Sequence, residues 1–127
     1  HDLGLEDEVE LLGWQDQGRV RDHLGWGDAF WLPSLSEGIS NSALEAMAAG
    51  LPIVSTRCGG MEEVLTAPDA GILVDVGDLR AMADALVSLT DHDRRQSLAE
   101  GARRAVEVDF DLSRQARVFA EAYRSLL

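Results

Sequence analysis

Apolar residues fall along this chain in two rhythms. Up to about residue 77, short continuous runs alternate with stretches of helical period; beyond it the helical period holds to the end. The runs Val9–Leu12 (ended by Gly13), Ala29–Leu32 (ended by Pro33), Ile53–Thr56 and Ile72–Val74 predict short buried strands. Between them, Asp16 to Leu24 carries Val20 and Leu24 at i, i+4. Ser42 to Ala49 starts a stripe of Leu44, Met47 and Leu51 at i, i+3, i+7, and Gly59-Gly60 opens a short helix running to Leu65. From Asp78 onward Leu79, Met82, Ala83, Leu86 and Leu89 trace one helix and Arg94 to Val106 a second. Leu112 to Leu127 traces a third, whose expected inner face is Val118, Phe119, Ala122 and Leu126.

Strands alternating with helices over short links imply an α/β fold, a Rossmann-like parallel sheet with helices on both faces and a helical C-terminal tail. At 127 residues the chain is one domain at most, with an α/β core expected in 1–77 and helices packing on it from 78–127. The tryptophans Trp14, Trp26 and Trp31 are expected in or near that core rather than as a stacking platform. One cysteine, Cys58, excludes an internal disulfide, and no apolar run approaches the roughly 20 residues of a membrane span.

Charge narrows the range of partners. Residues 1–77 hold three arginines against fourteen acids, residues 78–127 eight against nine, and there is no lysine. Such a surface repels nucleic-acid phosphates and anionic lipid, so neither is an expected partner of this part. His1, His23 and His92 share no metal-ligand spacing, and no metal is expected.

Chemistry concentrates between Pro33 and Gly60. Glu37 lies in the loop after an apolar run, Glu45 eight residues on inside a helix, and the turn-prone Gly38-Ile39-Ser40-Asn41 between them. A helix start offers unpaired N–H groups and the positive dipole end to an anion such as phosphate, while carboxylates accept hydrogen bonds from sugar hydroxyls. Glu45 has a structural alternative: Ser42-Ala43-Leu44-Glu45 fits a capping box, in which the Glu reaches back to the cap N–H. Gly59 and Gly60 suit a tight turn, Glu63 a helix start, and Arg57 is the one cation near in sequence.

The segment closely resembles the donor-binding motif of the retaining glycosyltransferases of the GT-B fold, the "group 1" family. Pro33, Ser34, Glu37, Gly38, Leu44, Glu45, Ala46, Met47, Ala48, Gly50, Pro52, Gly59, Gly60 and Glu63 stand in register with that family's pattern, and the likeness extends over roughly residues 3 to 90. The resemblance implies a nucleotide-sugar site in the C-terminal half of a GT-B fold. Glu37 would be the catalytic-side acid at the donor sugar, the amides of Gly38, Ile39, Ser40 and Asn41 would face the phosphates, and Glu45 would hold the ribose. The implied reaction moves a glycosyl group from a UDP-, GDP- or ADP-type donor to an acceptor hydroxyl with retention, without metal or other cofactor, in the cytoplasm, with any peripheral membrane association made through the other half. Family members have six strands in this domain. The chain starts at His1 and contains nothing like the upstream strand with its Arg and Lys, nor the N-terminal acceptor domain, so it resembles part of an enzyme, inactive alone. Two central strands would be missing, between Val9–Leu12 and Ala29–Leu32, leaving open edges and self-association as an expectation. Two other classes fit the same residues: a non-catalytic α/β nucleotide-binding or interaction module, and a GT-B-like sugar-nucleotide epimerase.

Overall fold

A computed structural model describes residues 3–126; His1, Asp2 and Leu127 lie outside the described residues. The elements in chain order are α1 (Gln17–Trp26), β1 (Phe30–Leu32), α2 (Asn41–Ala48), β2 (Ile53–Thr56), α3 (Gly60–Val64), β3 (Ile72–Val74), α4 (Leu79–Ser88), α5 (His92–Asp109) and α6 (Leu112–Ser125). The three strands form a parallel sheet in the order β1-β2-β3, with Trp31 opposite Val54 and Ser55 opposite Leu73. Each crossover is helical, as parallel pairing requires.

β2 is buried along its whole length, and its alternating side chains divide the interior into two layers. Ile53 faces a cluster with Ala43, Ala46, Met47, Met61, Ala102 and Val106, supplied by α2, α3 and α5. Val54 faces the other way, onto Val74, Met82, Ala85, Leu89 and Leu98. The sheet is thus covered on both faces. Acidic residues serve the helix starts: Asp16, Asp78, Asp91 and Asp111 each accept a hydrogen bond from the N–H three residues on, contributing about 1 kcal/mol per cap.

Three expectations fail, each for want of a partner. Residues 9–12 form no strand: Val9 and Leu11 are exposed and the segment is irregular. A four-residue strand has no ladder unless another strand lies beside it, and β1 pairs with β2 alone. The tryptophans are not core, being 88% (Trp14), 72% (Trp26) and 52% (Trp31) exposed. Trp31 shares the Val54 face of the sheet, on which α4 packs chiefly against β2 and β3. Finally, α6 is a helix with its apolar face in solvent, no residue of it is buried, and Val118, Phe119 and Leu126 are exposed. Helical period sets which residues share a face; burial also needs an apolar surface opposite.

Candidate functional site

The loop from Pro33 to Ser40 leaves the carboxyl end of β1, and three sets of bonds hold it. At the end of β2 the buried Thr56 donates its hydroxyl to the Ser34 carbonyl oxygen. Ser34 in turn donates its Oγ–H to Glu37 Oε1 at 3.1 Å. Glu37 N–H donates to Cys58 O at 2.8 Å and Gly60 N–H to Glu37 O at 3.2 Å, so the loop extends the sheet by one parallel bridge to Gly59. The backbone and one carboxylate oxygen of Glu37 are therefore fixed, while its side chain stays in solvent.

Gly59 and Gly60 make this docking possible. Gly59 takes φ 94°, and a Cβ there would stand 2.7 Å from Glu37 O. A Cβ on Gly60 would fall onto the Gly38 carbonyl carbon and stand 2.5 Å from Ile39 N. The close approach these glycines serve is between two loops of the same chain. The pair GG at 59–60 signals a tight backbone in the sequence, but not which backbone.

The start of α2 differs from the capping box expected at Ser42. The cap is Ser40, whose Oγ accepts from Ala43 N–H at 3.3 Å while its carbonyl accepts from Leu44 N–H at 3.1 Å. Ser42 lies within the first turn, with its hydroxyl 2.9 Å from Ser40 Oγ. Glu45 is consequently five positions past the cap, too far along to close a box, and its exposed carboxylate has no hydrogen-bond or ion-pair partner among the described residues. The N–H groups of Gly38, Ile39, Ser40, Asn41 and Ser42 also donate to no protein acceptor among the described residues. Five unpaired amides at a helix start concentrate positive potential where an anion can be held by backbone alone.

The cations sit differently from their sequence order. Arg57 is engaged by Asp75 at 3.3 Å and Glu62 at 3.6 Å. Arg21, on α1, lines the same cavity as Glu45 and enters no ion pair among the described residues. Sequence separation hid this neighbour, since only the fold sets α1 and α2 on either side of one cavity. Among the described residues no cluster of three or more His, Cys, Asp or Glu could hold a metal ion, and no helix is long and apolar enough to cross a membrane.

Comparison with known proteins bears on the family and the fold. The family described as "Glycosyl transferases group 1" matches residues 1–92. The chain is 36% identical over 126 residues to N-acetyl-alpha-D-glucosaminyl L-malate synthase of Bacillus anthracis, covering 98% of the chain and 32% of that protein. It is 39% identical over 126 residues to D-inositol 3-phosphate glycosyltransferase of Corynebacterium urealyticum, again with 98% of the chain and 30% of the relative. Among solved structures, sucrose-phosphate synthase of Thermosynechococcus elongatus superposes with a TM-score of 0.87 at 28% identity, over 96% of the chain and 31% of that enzyme. The chain thus spans under a third of the length of each.

Proposed function

The chain belongs to the group 1 glycosyl transferases and has the α/β architecture of a GT-B glycosyltransferase, and from that premise we propose that it is the donor-binding part of a retaining transferase using a nucleotide-diphosphate sugar. The observation that carries the proposal is the row of unpaired amides from Gly38 to Ser42, flanked by Glu37 on one side and Glu45 on the other. In this reading the diphosphate takes the amides, Glu45 accepts hydrogen bonds from ribose hydroxyls, and Glu37, whose carboxylate accepts a hydrogen bond from Ser34, stands at the sugar. As the glycosidic bond breaks, charge builds on the leaving diphosphate, and amides already in place stabilise it without reorganising. In this scheme no metal or other cofactor takes part, and the acceptor hydroxyl is presented by a domain outside these residues.

The freed Glu45 favours this reading over a purely structural role for the motif, because a capping carboxylate would have a backbone partner. The amides and Glu45 form a binding site, but no cation pairs with the diphosphate. The dipole of a helix start contributes typically 0.3–1 kcal/mol near a surface, against a net charge of −11 on residues 1–77. The expected outcome of titrating UDP, GDP and ADP into the 127-residue chain is saturable but weak binding, Kd on the order of 1 mM, or about −4 kcal/mol. Joining an upstream half that brings Arg and Lys should tighten it by an order of magnitude or more. Absence of saturable binding to any of the three would remove the donor-site reading. Micromolar binding would instead identify a self-sufficient nucleotide-binding module.

A further inference from the structure

The ladder between β1 and β2 stops where the loop of Glu37 begins. Leu32 lies opposite Ser55, which sets Pro33 across from Thr56, and a proline has no N–H to carry the ladder on. Thr56 keeps its place in the sheet by pairing with Val74 on the other side. Toward Pro33 its hydroxyl takes over from the backbone and donates to the Ser34 carbonyl oxygen. The Leu32 carbonyl oxygen, at 3.5 Å, is the more distant of the two acceptors in its reach. Backbone pairing resumes only at the bridge between Glu37 and Gly59. Between those points this hydroxyl is the loop's one side-chain tie to the sheet among the described residues, and Thr56 is only 4% exposed.

The residue held by that tie is the one that holds Glu37. Ser34 donates its Oγ–H to Glu37 Oε1 at 3.1 Å. A carboxylate accepts on both oxygens, so Oε2 is left for a group outside the chain, and only a hydrogen-bond donor suits it. Resting on the reading that Glu37 stands at the donor sugar, we infer that Ser34 is a positioning residue for Glu37 and Thr56 its buried anchor, so that one carboxylate oxygen, set in one direction, takes a sugar hydroxyl. Neither residue needs to touch the ligand: Thr56 is buried, and Ser34 commits its one proton to Glu37. An exposed glutamate otherwise samples several rotamers, and a ligand that selects one of them binds against the entropy of the rest. A hydrogen bond to a charged acceptor is stronger than one between neutral groups, so Ser34 narrows that choice before the sugar arrives.

NMR on the 127-residue chain tests this with and without ligand. In the free chain the Glu37 Hα–Hβ couplings should be those of one rotamer, and Ser34→Ala should average them. Thr56→Val should average them too, while Thr56→Ser, which keeps the hydroxyl, should preserve the single rotamer. Ser34 is only half-buried, so its variant serves if Thr56→Val does not fold. Couplings already averaged in the unsubstituted chain overturn the inference, whatever binds. Titration compares UDP, GDP and ADP with UDP-glucose, GDP-mannose and ADP-glucose. Ser34→Ala should weaken the tightest nucleotide sugar about threefold, the effect of one ordinary hydrogen bond, and leave its parent nucleotide unchanged. In a Glu37→Ala background the same substitution should cost nothing further, because Ser34 acts through the carboxylate. A further loss there would put Ser34 on the ligand, and equal loss for sugar and parent nucleotide would make it a brace for the whole loop; either overturns the inference. Nucleotide sugars that bind without any loss in Ser34→Ala remove this inference alone; no binding of any probe removes the donor-site reading and the inference with it.

Discussion

α2 and α6 carry the same kind of sequence and meet opposite fates. Both are amphipathic helices capped by a side-chain oxygen, Ser40 for α2 and Asp111 for α6. In α2 the apolar face is closed: Ala43, Ala46 and Met47 have no exposed surface, packed between the sheet and α5. In α6, Phe119 is 65% and Leu126 is 81% exposed. α6 also carries Arg114, Arg117 and Arg124 against one acid, Glu121, in a chain of net charge −12. The difference lies in what stands opposite. α2 follows a strand of its own sheet by one loop, so its partner is built into the chain, and the functional loop inherits that rigidity. For α6 no such surface exists among the described residues.

Truncating each face shows the contrast most directly. Met47→Ala should cost about 2–5 kcal/mol, since it removes a fully buried side chain and leaves a cavity against Ile53 and Ala102. Phe119→Ala should stay within about 0.5 kcal/mol, because an exposed ring that touches little has little to lose. Urea melts of the two variants measure both. A loss of more than 2 kcal/mol in Phe119→Ala would mean that α6 packs in solution, and the comparison would fail.

A smaller effect probes the loop that α2 supports. Gly60→Ala places a methyl group against the Gly38–Ile39 peptide, and neither backbone can yield without breaking the Glu37 bridge to residues 58–60. The expected loss is about 2–3 kcal/mol, a melting-point drop on the order of 10 °C. Nucleotide binding should suffer more than the melt implies, since the amides of Gly38 and Ile39 are displaced. An unchanged melt would show that the two loops are not in contact.

How much of this the sequence showed depends on the range of the interaction. Strand runs such as Ile53–Thr56, buried throughout, were legible because burial on both faces leaves a continuous apolar signature. Helices were legible from period and their ends to within a few residues. The motif's residues were legible as a set by resemblance. What escaped was every fact that depends on a second segment: that Gly60 meets Gly38, that Arg21 lines one cavity with Glu45 and that Trp31 is left half-exposed on β1. The cap was missed for a local reason. Ser40 and Ser42 are both good capping residues, and only the Leu44 N–H bond to Ser40 O fixes where the helix begins.

That local choice can be tested with a modest pair of substitutions. Ser40→Ala removes the acceptor for Ala43 N–H and should cost about 1 kcal/mol. Ser42→Ala removes a hydroxyl inside the first turn and should cost under about 0.5 kcal/mol, as Ala is the better helix former. Chemical denaturation of both variants ranks them. The reverse order would restore the capping box at Ser42 and with it a structural duty for Glu45.

The smallest expected change in stability is the one that separates α2 as scaffold from α2 as binding surface. Glu45 is exposed, five positions past the cap, and bonded to nothing among the described residues. Glu and Gln have nearly equal helix propensity, so Glu45→Gln should shift stability by less than about 0.5 kcal/mol. Binding should respond differently. A hydroxyl bonded to a carboxylate contributes roughly 1.5–3 kcal/mol and to a neutral amide roughly 0.5–1.5, so losing the charge should weaken nucleotide affinity by about fivefold. The deoxyribose analogues, lacking one of the two hydroxyls, should lose less on the same substitution, because they had less to give to Glu45. Paired melts and titrations decide it. If stability falls while affinity holds, the carboxylate serves the helix; if affinity falls while the melt is unmoved, the one acid on α2 that the fold leaves unpartnered is reserved for the ribose.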